Sequence, residues 1–228
     1  MRYLEVKFGE FSRKLNRFVA EVFIDGQLEK VHIKNTGRLI EVLKPGATVA
    51  LEPSNNPKRV TRYSIIAAKK EEKWVNIDSQ VPNSVVYEAL KKGKLMQFVG
   101  VTDIKREVRY ESSRFDLFYY RDKIPGFIEV KGVTLEQDGV AMFPDAPTTR
   151  GTRHVNTLIQ AKDEGFEATI LFIVQMGGCH LFTPYKDMDI AFYQMLKEAA
   201  VKGVQLLAYD CEVTESTIQL NNQIPIHI

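Results

Sequence analysis

No stretch of the first seventy residues holds the helical period of 3.6 for more than two turns, and turn-forming residues interrupt the segment every few positions. Such a segment can bury apolar surface only as short β-strands. Residues 18–24 and 27–33 flank Asp25-Gly26, a dipeptide that tolerates the positive φ angles of a tight hairpin turn. Asn35-Thr36-Gly37-Arg38, Pro45-Gly46 and Pro53-Ser54-Asn55-Asn56-Pro57 then break the chain before a strand pattern resumes over residues 59–68. Five or six strands of this length fit a small barrel.

The texture changes after Asp78. Asn83 precedes Val85, Val86, Ala89 and Leu90 at helical spacing, with Gly93 to stop the helix. Three strand patterns follow, at residues 101–111, 114–121 and 126–135, the last two joined through Asp122-Lys123. Thr148 or Thr149 can cap a helix running to about residue 163, and the apolar stretch 167–175 comes next. A further helix (189–201) and strand (204–213) complete a helix-flanked mixed sheet. The expected architecture is therefore a mixed α+β chain, with a barrel over residues 1–80 and an α/β domain with a central mixed sheet over residues 81–228.

At 228 residues, 44% apolar and 26% charged, the composition is that of a globular chain and excludes collagen-like or disordered classes. The N-terminus alternates charged and apolar residues where a secretory signal would carry a basic stub and an apolar core. The longest apolar run, residues 170–174, suits a strand buried on both faces and is far too short to cross a bilayer. A cytoplasmic location with no membrane partner is expected. Cys179 and Cys211 read as core thiols.

Net charge is only +2, but residues 1–65 hold 12 Lys and Arg against 7 acids, which leaves that part at +5 and the remainder at −3. Affinity for a polyanion should then concentrate on the barrel. Its candidates are Arg13, Lys14, Arg17, Asn35, Arg38, Lys58, Arg59, Arg62 and Tyr63, a mixture of guanidinium, amide and aromatic groups next to turns that suits phosphate contacts and base stacking.

The strongest chemical signal lies in the central strands. If the hairpin turns between Asp122 and Lys123, Asp116 stands directly across from Glu129, and Lys131 shares their face. Two opposed carboxylates repel unless a cation lies between them or one stays protonated. A divalent ion, Mg2+ or Mn2+, would resolve the conflict with the carboxylates as ligands, and a nearby ammonium would orient water or balance developing charge. Glu88, the acid of the preceding helix, is a further candidate ligand. Asp116, Glu129 and Lys131 are the candidate catalytic residues. Downstream, Arg150, Arg153 and His154 crowd the first turn of a helix, where positive charge opposes the dipole unless an anion is held there. They are read as a phosphate clamp.

Asn35-Thr36-Gly37-Arg38, Asn56-Pro57-Lys58-Arg59-Val60-Thr61-Arg62-Tyr63, Ile128-Glu129-Val130-Lys131-Gly132-Val133-Thr134-Leu135, and Phe143-Pro144-Asp145-Ala146 with Arg150-Gly151 and His154 together closely resemble the sugar fermentation stimulation protein A family, nearly end to end. That resemblance implies an N-terminal OB-fold barrel, a C-terminal domain like the PD-(D/E)xK nucleases, and DNA binding. Carried over by position, Asp116 becomes the first metal-binding acid, Glu129 the second and Lys131 the catalytic lysine, with Glu88 as the helix acid. Phe115 stands where the motif's name has proline. Two functions stay open: a Mg2+- or Mn2+-dependent nuclease acting on single- or double-stranded DNA, and a DNA-binding regulator of sugar-metabolism genes that keeps the nuclease-like fold without cutting. A third class is an RNA or small-nucleotide protein built on the same barrel. A homodimer through an apolar sheet edge is the expected assembly.

Overall fold

In the computed structural model, which describes residues 1–228, the turn-rich first part forms β1 (Lys7–Lys14), β2 (Val19–Ile24), β3 (Gln27–Ile33), β4 (Thr48–Pro53), β5 (Tyr63–Lys70) and β6 (Lys73–Asn76). Asp25 and Gly26 take φ of 51° and 78° in the β2–β3 turn, as the hairpin requires. Along β2, Ala20, Val22 and Ile24 point inward in strict alternation. β1 pairs antiparallel with β2 and β4, β2 with β3, and β4 with β5. The circuit closes where β3 runs parallel to β5 at His32↔Ser64 and Ile33↔Ile65. The result is a five-stranded, OB-like barrel with β6 added on β5.

The second part begins with α1 (Val81–Lys91), followed by β7 (Thr102–Tyr110), β8 (Ser113–Arg121), β9 (Ile124–Val133), β10 (Leu135–Gln137) and β11 (Val140–Phe143). Then come α2 (Thr149–Asp163), β12 (Glu167–Val174), β13 (Leu181–Pro184), α3 (Ile190–Val201), β14 (Gln205–Val213) and β15 (Ile218–Ile224). The central sheet runs β7-β8-β9-β12-β14-β15. Its first three strands form an antiparallel meander, β9, β12 and β14 are parallel, and β15 returns antiparallel. β12 is apolar from Ile170 to Val174 because both of its faces are covered. Ile170 and Phe172 pack in the cluster that contains α2 and α3 residues, while Leu171 and Ile173 pack in the one that contains α1.

Three features depart from the sequence reading. α1 starts at Val81, ahead of Asn83, with Pro82 in the first turn, where its missing N–H costs nothing. The small sheet β10-β11-β13 and strand β15 had no counterpart, since strands of three or four residues carry no periodicity and β15 buries only Ile218 and Ile224. The edges of the central sheet are polar. β7 exposes Asp103, Lys105, Arg106, Glu107 and Arg109, with positive φ at Asp103 and Glu107, and β15 exposes Gln219 and three consecutive amides at residues 221–223. Neither edge of the central sheet is the apolar strip expected for a dimer, because charge and irregular backbone blunt pairing at such edges. Cys179 and Cys211 are buried free thiols. No helix is long and apolar enough to cross a membrane.

Buried polar groups join the barrel to the sheet. Gln175, 1% exposed at the end of β12, donates from Nε2 to the Asn76 carbonyl (3.1 Å), Asn76 Oδ1 (2.9 Å) and the Asp78 carbonyl (3.2 Å). The Asn76 amide donates to the Gln175 carbonyl at 2.9 Å. Lys34 Nζ bridges Glu52 (2.7 Å) and Asp78 (3.0 Å), and Asp145 Oδ2 accepts from the Arg38 amide at 2.9 Å. A Cβ on Gly37 would collide with Asp145 Oδ2, so a side chain there would have to push the carboxylate off the Arg38 amide. Gln175→Met keeps the side-chain length but strands buried acceptors, and should cost about 1–3 kcal/mol. Urea unfolding followed by Trp74 fluorescence checks this; an unchanged midpoint refutes it.

Candidate metal and nucleic-acid site

The β8–β9 turn places Asp122 and Lys123 at φ of 48° and 71°, and the ladder holds Leu117↔Ile128 and Phe118↔Phe127. This is the register expected from the sequence. The ladder stops one pair short of Asp116 and Glu129. There the Asp116 carboxylate takes over the backbone's role, Oδ2 accepting from the Val130 amide at 2.8 Å. Its Oδ1 accepts from Asn83 Nδ2 of α1 at 2.6 Å.

Glu129 is 3% exposed. Its Oε1 is held by Lys131 Nζ at 2.6 Å and by His154 Nδ1 at 2.5 Å, whereas Oε2 is buried with no hydrogen-bond partner. Burial alone would raise its pKa, but Lys131 and His154 outweigh it and hold Glu129 below the ordinary carboxylate range. Asp116 moves the other way, to about 6, because burial and then the charge of Glu129 oppose its ionisation more than Val130, Lys131 and Asn83 favour it. A buried oxygen without a partner, next to a carboxylate whose ionisation burial and its neighbour both oppose, is an arrangement that suits a divalent cation with oxygen ligands.

The remaining expected residues fall into distinct places. Glu88 is not brought to this site. It lies five positions beyond Asn83, roughly 140° around the helix, and pairs with the N-terminal ammonium (3.3 Å) and Lys92 (3.7 Å). The α1 residue that reaches Asp116 is Asn83, which the sequence reading took only as a helix start. His154 is 4% exposed and turned inward onto Glu129, so it is not a surface phosphate contact. Arg150, one turn of α2 earlier, and Arg153, the preceding residue, are exposed.

On the barrel, Arg13 is bound to Glu21 (2.7 Å) and Arg62 to Glu29. Lys14 donates to the carbonyls of Gly37 (3.1 Å) and Arg38 (3.0 Å), with burial pulling its pKa down. Asn35 holds the Ile77 carbonyl and the Gly37 amide. Arg59 donates to Thr61 and Ser64 hydroxyls, and Tyr63 is half-buried with Arg62 over its ring. Arg17, Arg38 and Lys58 are exposed and enter no ion pair. The sequence reading missed Phe18, half-exposed at the end of the β1–β2 loop, which stacks on His32 (6.4 Å, 21°) with Arg17 over its ring. An aromatic beside turn-borne cations was its only sequence signal. A cleft of about 170 Å3, lined by Asn35, Thr36, Gly37, Gly132, Thr134 and Asp145 among others, lies between the barrel and the strand bearing Glu129 and Lys131.

The family models for the SfsA N-terminal OB domain and for the sugar fermentation stimulation protein RE domain match residues 13–77 and 80–217. The chain belongs to the sugar fermentation stimulation protein family. A homologue from Clostridium botulinum (strain Langeland) is 50% identical over 223 residues, covering 96% of each chain. Another from Alkaliphilus oremlandii is 45% identical over 231 residues, covering 99% of this chain and 98% of that one. Among solved structures, Pyrococcus furiosus SfsA in complex with Ca2+ superposes with a TM-score of 0.91 at 32% identity, covering 100% of this chain and 98% of the other.

The Asp116 pKa yields a sign. An acid whose folded value lies above its unfolded one is penalised when ionised, so the cost is absent below about pH 4 and complete above about pH 6. Asp116→Asn keeps an acceptor for Val130 and removes that penalty, on the order of 3 kcal/mol at most. Thermal melts of the metal-free protein should show the variant more stable at pH 8, with the gain vanishing by pH 4. A pH-independent difference would count against the carboxylate conflict.

Proposed function

We propose that this protein binds DNA through its barrel and the start of α2, holds a divalent ion between Asp116 and Glu129, and hydrolyses phosphodiester bonds with Lys131 as the catalytic lysine. One observation carries this reading: a buried, unpartnered Glu129 Oε2 beside a second carboxylate whose ionisation its neighbour opposes. Ca2+ in the Pyrococcus furiosus relative supports a divalent metal here, and Mg2+ or Mn2+ suits two carboxylates completed by water and a phosphate. When bound, such an ion supplies positive charge to phosphoryl oxygens and lowers the pKa of a water.

The chain's own residues do the rest. The Val130 and Asn83 amides orient Asp116. Lys131, with its ammonium at the Glu129 carboxylate, orients the attacking water and balances charge that develops on the phosphate. Arg17, Arg38, Lys58 and Arg59 on the barrel, with Arg150 and Arg153 on α2, take the backbone phosphates. A DNA substrate makes the cytoplasm its site of action.

A second reading, a DNA-binding regulator of sugar-metabolism genes that does not cut, is favoured by the lean ligand set, since no group of three or more His, Cys, Asp or Glu residues gathers as a ready metal cluster. Labelled single- and double-stranded DNA incubated with EDTA, Mg2+ or Mn2+ separates the two. Cutting that needs metal and disappears in Asp116→Ala, Glu129→Ala and Lys131→Ala is expected. Binding without cutting, unchanged in Lys131→Ala, would establish the regulator.

Because Arg62 is already paired with Glu29, Arg17→Ala and Lys58→Ala should weaken DNA binding more than Arg62→Ala does. Each should lower the salt dependence of log Kd by about one unit, uniformly across sequences. Fluorescence anisotropy at several salt concentrations tests the order; equal effects from all three would move the DNA path elsewhere.

A further inference from the structure

We infer that His154 is a positioning residue for Glu129: its hydrogen bond pins Oε1 and would leave Oε2 as the oxygen available to a divalent ion, and Arg150 supports the imidazole tautomer that makes this bond. The inference rests on the metal-binding reading above and adds to it the part played by α2.

The geometry is specific. His154 Nδ1 and Lys131 Nζ meet the same oxygen, Oε1, at 2.5 and 2.6 Å, while Oε2 has no partner. A carboxylate free at both oxygens can swing about its last torsion and chelate through either or both. With Oε1 occupied from two sides, only Oε2 is presented. Lys131 cannot fix the carboxylate alone, because its four-carbon stem is flexible and rotates readily. The imidazole is rigid, and its plane is packed edge-on against Phe115 (6.4 Å, 79°).

The tautomer follows from the next residue outward. Arg150 Nε lies 3.4 Å from His154 Nε2, four positions earlier on the same helix face. A guanidinium only donates and a carboxylate oxygen only accepts, so the neutral ring that satisfies both neighbours accepts at Nε2 and donates from Nδ1 to Glu129. The helix register that sets both residues is locked at its start. Thr148 Oγ1 caps Gly151 at 3.0 Å, and Asp189 of α3 accepts from the Thr148 amide at 2.8 Å.

Mn2+ titration calorimetry at pH 7.5 on the wild type, His154→Leu, His154→Asn and Glu129→Gln tests this. His154→Leu keeps bulk without a donor and should weaken Mn2+ by about 10- to 100-fold, as loss of an orienting partner does. His154→Asn, whose Nδ2 takes the place of Nδ1, should restore most of the affinity, and Glu129→Gln should abolish binding. Mn2+ binding by His154→Leu equal to wild type, or by His154→Asn as weak as by His154→Leu with native circular dichroism, overturns the inference while the metal site stands. Undiminished binding by Glu129→Gln, or none by the wild type, removes the metal-binding reading and this inference with it. Long-range 1H–15N spectra of the metal-free wild-type protein need no variant to fold. They should show the Nδ1–H tautomer at His154, and the Nε2–H form would refute the role of Arg150.

Discussion

A carboxylate taken almost wholly out of water must have its charge answered, and Glu129 imposes that demand at the centre of the molecule. The answer comes from two directions, Lys131 along its own strand and His154 from the helix docked across it. Both partners require β9 to lie inside the sheet and α2 to present a particular face. Phe115, Phe127, Val155 and Leu158 in the surrounding apolar cluster provide that packing. The same demand is left incomplete at Oε2 and is felt at Asp116, whose ionisation burial and the Glu129 charge both oppose.

Much of this was legible in the chain. Asp122-Lys123 fixed the hairpin register, and with it the opposition of Asp116 and Glu129, because a two-residue turn leaves no slack in the numbering. What the numbering did not convey was that the ladder ends just before these residues, so that the Asp116 side chain takes a backbone donor. Glu88 was chosen for its charge, but its direction on α1 depends on Val81, Val85 and Ala89 facing the core, which carries it away and brings Asn83 in. The sequence groups His154 with Arg150 and Arg153 in a phosphate clamp at the start of α2. Yet Gly151, His154, Val155 and Leu158 form one buried stripe at helical spacing, so its inward direction was readable from the period alone.

The barrel shows a different limit. Its formal excess of positive charge is a count, whereas what a polyanion meets is the set of cations left over after neighbours have taken their share. Arg13 and Glu21 are cross-strand partners in the β1–β2 register. Arg62 meets Glu29 from a strand more than thirty residues away. The first pairing needs only the β1–β2 register, but the second arises when distant strands come together, and no short window of sequence contains it.

Gln175 ties the barrel to the central sheet through buried hydrogen bonds, and Asp145 ties it to the segment before α2 through the Arg38 amide, beside Gly37. Hinged domains adapt to whatever spans them. Here the contacts at Gln175 and Asp145 tie the barrel to the strand that leads away from Glu129 and to the turn that leads into α2, so a shift of the barrel would be felt at both ends of the carboxylate pair's surroundings.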